Sequence, residues 1–371
     1  MQADQEKISK KESRAKRRRK KRIQRIVCRS LLSLLTVIVL ILVAALGAGY
    51  VAFRGPSPSI GDRLTMSMLE TSALKFVPRI YYSSAEMEQI IARNGVADIT
   101  EDTDTSRIVI AKPTPTPSPE EVANDMFVIP EATPVPDNLL AAENGVEIYE
   151  VKTGTYSGFM MVVLDPSRVS VGTCRDYFNK SAGLQLKDIA KRHNALAAIN
   201  GGGFDDPGGA GNGGMPIGLV VRNGEIMHGP TYDNHNIVVG FTEDNILVVG
   251  KYGRDDVARL HIRDALSFGP ALVVNGNPAV VNGASSGLNP RTAIGQRADG
   301  AVLLLVIDGR QISSLGATYA DCINVMLEFG AVNAVNLDGG SSSLMYYNGS
   351  YLNNGVVLTG SRNMPTAFIV N

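Results

Sequence analysis

Several apolar runs of this sequence end in an acid or an amide, often beside glycine, which indicates a site built at the ends of buried strands. The run AVLLLVID ends in Asp308, VNAVNLD ends in Asp338, and AAIN ends in Asn200. Two carboxylates at such positions could act as a general base or a nucleophile, or could hold a sugar, a metal or a phosphate. Structural alternatives stay open, since Asp308 could simply begin an Asp-Gly turn and Asp338 could cap its own turn.

A glycine-rich loop and one arginine could supply the positive side of such a site. Gly201 and Gly202 begin the loop GGGFDDPGG, whose backbone N–H groups could approach an anion closely. Asp205 offers a carboxylate in the same loop. Arg291 lies in a predicted strand, and if it points into the domain it needs an anionic partner, such as a phosphate or a carboxylate. The alternatives are a flexible loop with solvated acids and an ordinary surface arginine.

No strong nucleotide-binding or metal-binding motif accompanies these residues. The sequence has no G-x-x-x-x-G-K-[ST] and no H-E-x-x-H, its four histidines are scattered, and its three cysteines fit no zinc cluster. A divalent metal beside Asp338 and Asp205 is chemically possible, but no ligand spacing demands one. We therefore expect no cofactor and no metal.

The part of the chain that must position these residues spans 140–371 and is rich in turns. It holds 33 of the 38 glycines, and Asn-Gly or Asp-Gly dipeptides repeatedly separate its apolar runs, which is typical of short strands joined by tight turns. Helices are predicted at 184–193 and at 318–329, the second capped by Thr318. We therefore predict an α+β fold with a mixed, largely antiparallel sheet and packed helices.

The N-terminal part predicts a membrane anchor followed by a stalk. Residues 31–53 carry no charge and are long enough to cross a bilayer as one helix, and the basic segment 1–30 precedes them. By the positive-inside rule, the basic segment is cytoplasmic and the rest of this single-pass protein is extracellular; a cleaved signal peptide is the alternative. Residues 54–139 predict a membrane-proximal helix and a Pro/Thr-rich stalk.

The net charge of zero conceals a strong division along the chain. Residues 1–29 carry thirteen Lys or Arg and three Asp or Glu, so the remainder carries a net charge of −10. An acidic body would repel a phosphate backbone, and we therefore expect no nucleic-acid partner.

Residues 140–371 resemble the phosphodiester glycosidase family. The matching stretches are AINGGGF (198–204), PRTAIG (290–295), LVIDGRQ (305–311) and VNAVNLDGGSSS (332–343), in the family's order. The resemblance implies a mixed α/β domain that hydrolyses sugar-1-phosphodiesters. The run MPIG (215–218) and the Pro/Thr-rich stalk resemble the membrane-anchored bacterial branch, which is linked to exopolysaccharide and cell-wall glycans. The pocket residues that the resemblance implies are Asn200, Gly201, Gly202, Phe204, Arg291, Thr292, Asp308, Asp338, Gly339, Gly340 and Ser341.

The chemistry of that reaction constrains the roles of these residues. Cleavage of the C1–O bond builds an oxocarbenium-like centre, so we expect Asp338 and Asp308 as candidates for base or nucleophile. A phosphate leaving group needs charge stabilisation more than a proton, which suits Arg291 and the backbone N–H groups of residues 201–203. The expected function is a membrane-anchored extracellular hydrolase of sugar-1-phosphodiester linkages in cell-surface or exopolysaccharide glycans. The alternative is a non-catalytic glycan-binding or polymer-assembly protein of the cell wall, although the chain has no tryptophan for a sugar platform.

Overall fold

The computed structural model of this protein describes residues 2–71, 74–97, 99, 101–110, 137–206, 212–229, 237–353 and 362–371. The chain divides into two compact units, Met1–Gly61 and Asp62–Asn371. Most of the predicted Pro/Thr-rich stalk, residues 111–136, lies outside the described residues.

The first unit is dominated by one long helix. Within it, Arg19–Arg54 is long and apolar enough to cross a membrane, and its most apolar stretch has no buried residues. The helix is therefore a candidate for a membrane span or for a signal sequence. The α-helices of the described residues are α1 (Gln2–Arg54), α2 (Pro58–Leu69), α3 (Pro78–Tyr81), α4 (Ser84–Arg93), α5 (Leu186–Arg192), α6 (Arg254–Arg259) and α7 (Tyr319–Glu328).

The cap of α7 forms as the sequence predicts. The Thr318 hydroxyl accepts a hydrogen bond from the Asp321 N–H (3.2 Å), and the Asp321 carboxylate accepts one from the Thr318 N–H (2.8 Å). Gly330 follows the helix with a φ of +83°, a conformation that ends helices and favours glycine. The two predicted helices of the body are thus confirmed as α5 and α7.

The body consists of short strands joined mainly by turns. Asn275 and Gly276, with φ values of +55° and +79°, turn the chain between two of these strands, as the Asn-Gly pair predicts. The strands are β1 (Leu139–Glu143), β2 (Val146–Lys152), β3 (Ser157–Val163), β4 (Val169–Thr173), β5 (Ala197–Asn200), β6 (Phe204–Asp205), β7 (Met215–Pro216), β8 (Val220–Arg222), β9 (Glu225–His228), β10 (Ile237–Thr242), β11 (Leu247–Lys251), β12 (Ile262–Ser267), β13 (Ala271–Val274), β14 (Asn277–Pro278), β15 (Arg291–Arg297), β16 (Val302–Ile307), β17 (Ala331–Asn336), β18 (Met345–Tyr347), β19 (Ser350–Tyr351) and β20 (Thr366–Val370).

These strands form one large sheet and three smaller ones. The large sheet has the order β1-β2-β3-β16-β15-β17-β13-β14. Two five-stranded sheets have the orders β11-β10-β12-β8-β9 and β19-β18-β5-β20-β4, and β6 pairs with β7. The pairings between these strands are antiparallel. The predicted α+β class with a largely antiparallel sheet is confirmed.

The large sheet buries both of its faces. Side chains alternate along β15, so that Ile294 joins a core shared with Phe368 of β20, whereas Ala293 joins a second core shared with Met326 of α7. The eight-stranded sheet therefore lies between a layer that contains α7 and a layer that contains the five-stranded sheets. Neighbouring residues of β15 face opposite layers, and this alternation continues to the start of the strand.

Part of the chain before residue 140 packs against the body, including β11 of a five-stranded sheet. Val96 forms an antiparallel bridge with Val281. The Thr103 hydroxyl donates to the Val249 carbonyl (2.9 Å) and accepts from the Val249 N–H (2.8 Å). The described residues of 62–110 thus belong to the same compact unit as residues 140–371.

Candidate active site

Asn200 ends β5 and joins several parts of the candidate site. Its side-chain amide donates to the Asp338 carbonyl (2.6 Å) and accepts from the Thr292 hydroxyl (2.7 Å) and the Leu344 N–H (3.2 Å). The residue is 1% exposed. Since Thr292 lies on β15 and Asp338 follows β17, this one amide connects two sheets. The structure thus brings Asn200, Thr292 and Asp338 together.

Asp338 directly follows β17, at the side of the large sheet where the C-terminal ends of β16 and β17 lie. Its carboxylate accepts from the Gly339 N–H (3.0 Å), and its own N–H donates to the Gly201 carbonyl (3.2 Å). Burial raises the pKa of Asp338; the Arg362 guanidinium opposes this shift and the Asp206 carboxylate adds to it. A carboxyl group with a raised pKa at the end of a rigid strand is suited to proton transfer.

Asp308 lies at the same edge, two strands away from Asp338. It follows β16, and β15 lies between β16 and β17. Neighbouring strands are about 4.8 Å apart, so the backbones at the two acids are separated by about 10 Å. Asn353 donates to the Asp308 carboxylate (2.8 Å) and to the Ser343 carbonyl (2.9 Å). Asn353 therefore connects Asp308 to the loop that follows Asp338.

Gly201 and Gly202 are required for close packing. Their N–H groups donate to the carbonyl (3.2 Å) and the hydroxyl (3.3 Å) of Thr366 on β20. A Cβ on Gly201 would lie 2.8 Å from a methyl carbon of Leu266, and one on Gly202 would lie 2.7 Å from the Ser267 carbonyl oxygen. Both N–H groups are thus used within the protein, which explains these glycines without an anion.

Phe204 and Arg362 form one wall beside Asp338. The guanidinium carbon of Arg362 lies 4.7 Å from the centre of the Phe204 ring, and the guanidinium forms an ion pair with Asp206. Asp205 is exposed on the opposite side of the short strand β6. Asp206, rather than Asp205, is the acid of this loop that the structure places near Asp338.

The turn at residues 339–340 leads from Asp338 to a second group of residues. Gly340 has a φ of +65°, and a Cβ there would lie 3.2 Å from Nη1 of Arg310. The Arg310 guanidinium therefore lies directly beside this turn. Ser341 follows at the same place and is half-buried.

Arg291 is 3% exposed and faces the α7 layer, on the side of β15 opposite to Thr292. Its guanidinium donates to the Glu70 carboxylate (2.8 Å), the Ala317 carbonyl (3.1 Å) and the Ser286 hydroxyl (2.6 Å). The anionic partner that a buried arginine requires is therefore Glu70, which directly follows α2.

The candidate site thus consists of two clusters that meet at the turn 339–340. The inner cluster is Asn200, Phe204, Thr292, Asp338 and Arg362, and the outer cluster is Glu70, Asn289, Arg291, Arg310 and Tyr319. Within the part of the chain that the structure describes, no group of three or more His, Cys, Asp or Glu side chains could hold a metal ion.

Six residues of the two clusters and of the surroundings of Asp308 are absent from the site residues predicted from the sequence: Glu70, Asn289, Arg310, Tyr319, Asn353 and Arg362. Asn289 directly precedes the motif PRTAIG and Arg310 lies within the motif LVIDGRQ, so the position of both residues is a usable signal. Asn353 and Arg362 lie beyond the last motif and carry no comparable signal. Glu70 is 221 residues from Arg291 in sequence, and nothing local marks it as a partner.

Comparison with known proteins supports the resemblance. Residues 193–371 match the family model of the phosphodiester glycosidases. The chain is 30% identical over 194 residues to the SPbeta prophage-derived uncharacterized protein YomE of Bacillus subtilis strain 168. The aligned region covers 50% of this chain but only 29% of that protein. The fold of the present chain is similar to that of the catalytic domain of zebrafish N-acetylglucosamine-1-phosphodiester alpha-N-acetylglucosaminidase, a structure described as auto-inhibited by pro-peptide. The TM-score is 0.50 and the sequence identity is 22%, and the match covers 61% of this chain and 82% of that chain.

Proposed function

Since the phosphodiester glycosidases are the family that residues 193–371 match, we propose that this chain hydrolyses sugar-1-phosphodiester linkages. The products would be the free sugar and a phosphomonoester. The observation that carries the proposal is the position of the turn 339–340, which has the Asp338 carboxylate on one side and the Arg310 guanidinium on the other. A carboxylate for the sugar and cations for the phosphate are the two requirements of this reaction.

Asp338 is proposed as the residue that acts at the anomeric carbon. Positive charge develops at C1 as the C1–O bond breaks, and a carboxylate within the inner cluster would stabilise it or activate water. Burial raises the pKa of Asp338, which suits a group that takes up a proton during turnover. Asp308 is the second candidate, held by Asn353 at the same edge of the sheet.

Arg291 and Arg310 are proposed to stabilise the phosphate leaving group. A phosphomonoester is a good leaving group, so the enzyme has to balance negative charge rather than supply a proton. The planar guanidinium group matches the oxygen geometry of phosphate. Asn200 and Thr292 would act by positioning Asp338, since their side chains are hydrogen-bonded to each other and Asn200 holds the Asp338 carbonyl.

We further propose a cell-surface location for this reaction. The helix α1 is a candidate membrane span, and the basic residues that precede its apolar part favour a cytoplasmic N-terminus. The remaining chain would then lie outside the cell, where exopolysaccharide or cell-wall phosphoglycans are the substrates within reach.

The proposal is tested by identifying which bond the protein cleaves. The detergent-solubilised full chain is incubated with a panel of sugar-1-phosphodiesters in ¹⁸O-labelled water, and the products are analysed by mass spectrometry. We expect the label in the released sugar, because water attacks C1. The matched control is Asp338→Asn, which preserves the shape of the side chain and removes its charge.

Two outcomes would refute the proposal. Label in the phosphate would show P–O cleavage, and the protein would then be a phosphodiesterase of a different kind. Absence of cleavage across the panel, with retained binding of a phosphoglycan, would favour the non-catalytic glycan-binding alternative.

A further inference from the structure

Glu70 balances the charge of Arg291 within the outer cluster. Its Oε2 atom accepts from Nη1 of Arg291 and from Nδ2 of Asn289, each at 2.8 Å. The Tyr319 hydroxyl lies 3.5 Å from its Oε1 atom. Because Arg291 is 3% exposed, its guanidinium is compensated by this carboxylate rather than by water. The ion pair is thus neutral as a unit.

Arg310 supplies the second guanidinium of the cluster and is half-buried. This group has five N–H donors, and within the part of the chain that the structure describes its one hydrogen bond runs from Nη2 to Oδ1 of Asn289 (2.8 Å). Burial lowers the pKa of Arg310; Glu70 opposes this shift and Arg291 adds to it. Both charges of the ion pair therefore act on Arg310, whose remaining donors are available to a phosphate group.

The outer cluster carries a net charge of +1, since it holds two guanidinium groups and one carboxylate. The inner cluster, across the turn 339–340, does not raise this value. Its Arg362 guanidinium is paired with the Asp206 carboxylate, and Asp338 is itself an acid. A ligand with one negative charge would therefore neutralise the outer cluster.

The fold holds Glu70 in this place. Glu70 directly follows α2, whose Ser67 hydroxyl accepts from the Leu288 N–H (2.9 Å). Asp62, also on α2, accepts two hydrogen bonds from Arg93 of α4 (2.7 and 2.6 Å). These residues belong to the same compact unit as the strands of the site. The Glu70 carboxylate is therefore a built component of the cluster.

The substrate and the product of the proposed reaction differ by one charge. The C1–O bond breaks with its electron pair on the phosphate oxygen, while water supplies the new hydroxyl group of the sugar and releases one proton. A phosphodiester carries one negative charge, whereas a phosphomonoester carries nearly two at neutral pH, because its second pKa is about 6. The net charge of the cluster can therefore discriminate between them.

We propose that Glu70 is a specificity-determining residue, which limits the charge of the outer cluster so that the site favours a monoanionic phosphodiester over a dianionic phosphomonoester. The inference rests on the proposed function for which of the two is substrate and which is product. Taking a second negative charge out of water is costly, and a cluster of net charge +1 offsets only the first. Without Glu70, two uncompensated guanidinium groups would hold the product more tightly and slow its release.

Glu70→Gln isolates this effect of charge. The amide oxygen of glutamine can still accept from Arg291 and Asn289, so the variant removes the charge and keeps these hydrogen bonds. At this range, loss of one unit charge should strengthen the binding of a monoanion about tenfold, and the same change acts twice on a dianion, about 100-fold. The ratio of the two affinities should therefore shift about tenfold towards the dianion.

The test is titration of the detergent-solubilised full chain with dimethyl phosphate, a monoanion, and with methyl phosphate, a dianion at about pH 8. Binding is followed by the ³¹P NMR signal of each ligand at constant ionic strength. We expect Glu70→Gln to strengthen methyl phosphate binding about tenfold more than dimethyl phosphate binding.

Glu143→Gln is the matched control, because it changes the net charge equally at a distant position. Glu143 is an exposed acid of β1, which lies four strands from β15 in the large sheet. That separation is about 19 Å, beyond the screening length of about 10 Å at 0.1 M salt. The control should keep the affinity ratio of the wild type.

Arg291→Met tests the same charge balance in the opposite direction and decides the question if Glu70→Gln does not fold. It leaves the cluster without net charge, and its unpaired Glu70 carboxylate is 30% exposed to water. The affinity ratio should shift away from the dianion. If the folded variants keep the ratio within about twofold of the wild type, or if methyl phosphate binds to none of the proteins, the inference is wrong.

Hydrolysis measured on the same preparations separates this inference from the proposed function. A shifted affinity ratio without sugar release from any sugar-1-phosphodiester supports the role of Glu70 and refutes the hydrolase. Sugar release by the wild type, together with an unchanged ratio in the variants, supports the hydrolase and refutes the role of Glu70.

Discussion

Replacing Asn200 with alanine should loosen the turn that carries Asp338. The Asn200 amide makes three hydrogen bonds and is 1% exposed. The alanine variant leaves the Asp338 carbonyl, the Thr292 hydroxyl and the Leu344 N–H without this partner. A net contribution of about 1 kcal/mol for each hydrogen bond predicts a loss of about 3 kcal/mol in the free energy of unfolding, and buried groups left without partners would increase it.

Thermal unfolding followed by circular dichroism measures this loss. A change of 1 kcal/mol shifts the melting temperature of a domain of 150–250 residues by about 2 to 4 °C, so we expect a decrease of roughly 6 to 12 °C. Asn138→Ala is the control, since Asn138 is exposed and donates one hydrogen bond, to the Glu150 carbonyl (3.1 Å). Its replacement should lower stability by less than about 1 kcal/mol.

The assay also distinguishes positioning from direct substrate contact. If Asn200 acts through Asp338, Asn200→Ala lowers kcat along with stability, and Asn200→Asp is equally damaging because a carboxylate cannot donate to the Asp338 carbonyl. A melting temperature within about 2 °C of the wild type would refute the reasoning. Loss of turnover at unchanged stability would instead assign Asn200 to substrate binding.

Three further predictions concern the Asp338 carboxylate, the ion pair between Asp62 and Arg93, and the membrane topology. Asp338→Asn should lower kcat about 100-fold or more at an unchanged melting temperature, whereas a shift in melting temperature at wild-type turnover would show that Asp338 only caps its turn. Hydrogen bonds from Arg93 lower the pKa of Asp62 below its ordinary value of 3.8, so the stability that this pair contributes is present above about pH 4 and is lost as the pH falls through the lowered pKa. Asp62→Asn should therefore cost up to about 1 kcal/mol at pH 7 and much less at pH 2, measured as melting temperatures at both values. Protease added to intact cells should remove a C-terminal tag but not an N-terminal one, because the basic residues precede the apolar run 31–53; protection of both tags would contradict this topology.

Local features of this protein could be predicted from the sequence because they depend on near neighbours. The Thr318 cap and Gly330 mark the ends of α7, and the Asn275-Gly276 pair turns the chain between β13 and β14. Hydrophobic runs with short turns indicated an α+β body. The motifs around Asn200 and Asp338 also pointed to residues that the fold brings together, since each motif lies at the end of a strand.

The tertiary structure alone decided which of these side chains share a face and what each one contacts. Alternation along β15 predicts that Arg291 and Thr292 face opposite sides, but the layer on each side depends on how the sheets stack. The contacts of Gly201 and Gly202 also depend on the tertiary structure, because their N–H groups donate to Thr366 on β20, which is more than 160 residues away in sequence.

Glu70 shows most clearly which contacts cannot be predicted from the sequence. The sequence around it indicates only a membrane-proximal helix, yet its carboxylate pairs with Arg291 across 221 residues. A contact of this kind has no local pattern, because it forms only after the large sheet has assembled and left a buried guanidinium that requires an anion. The sequence by itself determined the element types and the polar residues at the strand ends, and the assembled fold determined which charges meet there.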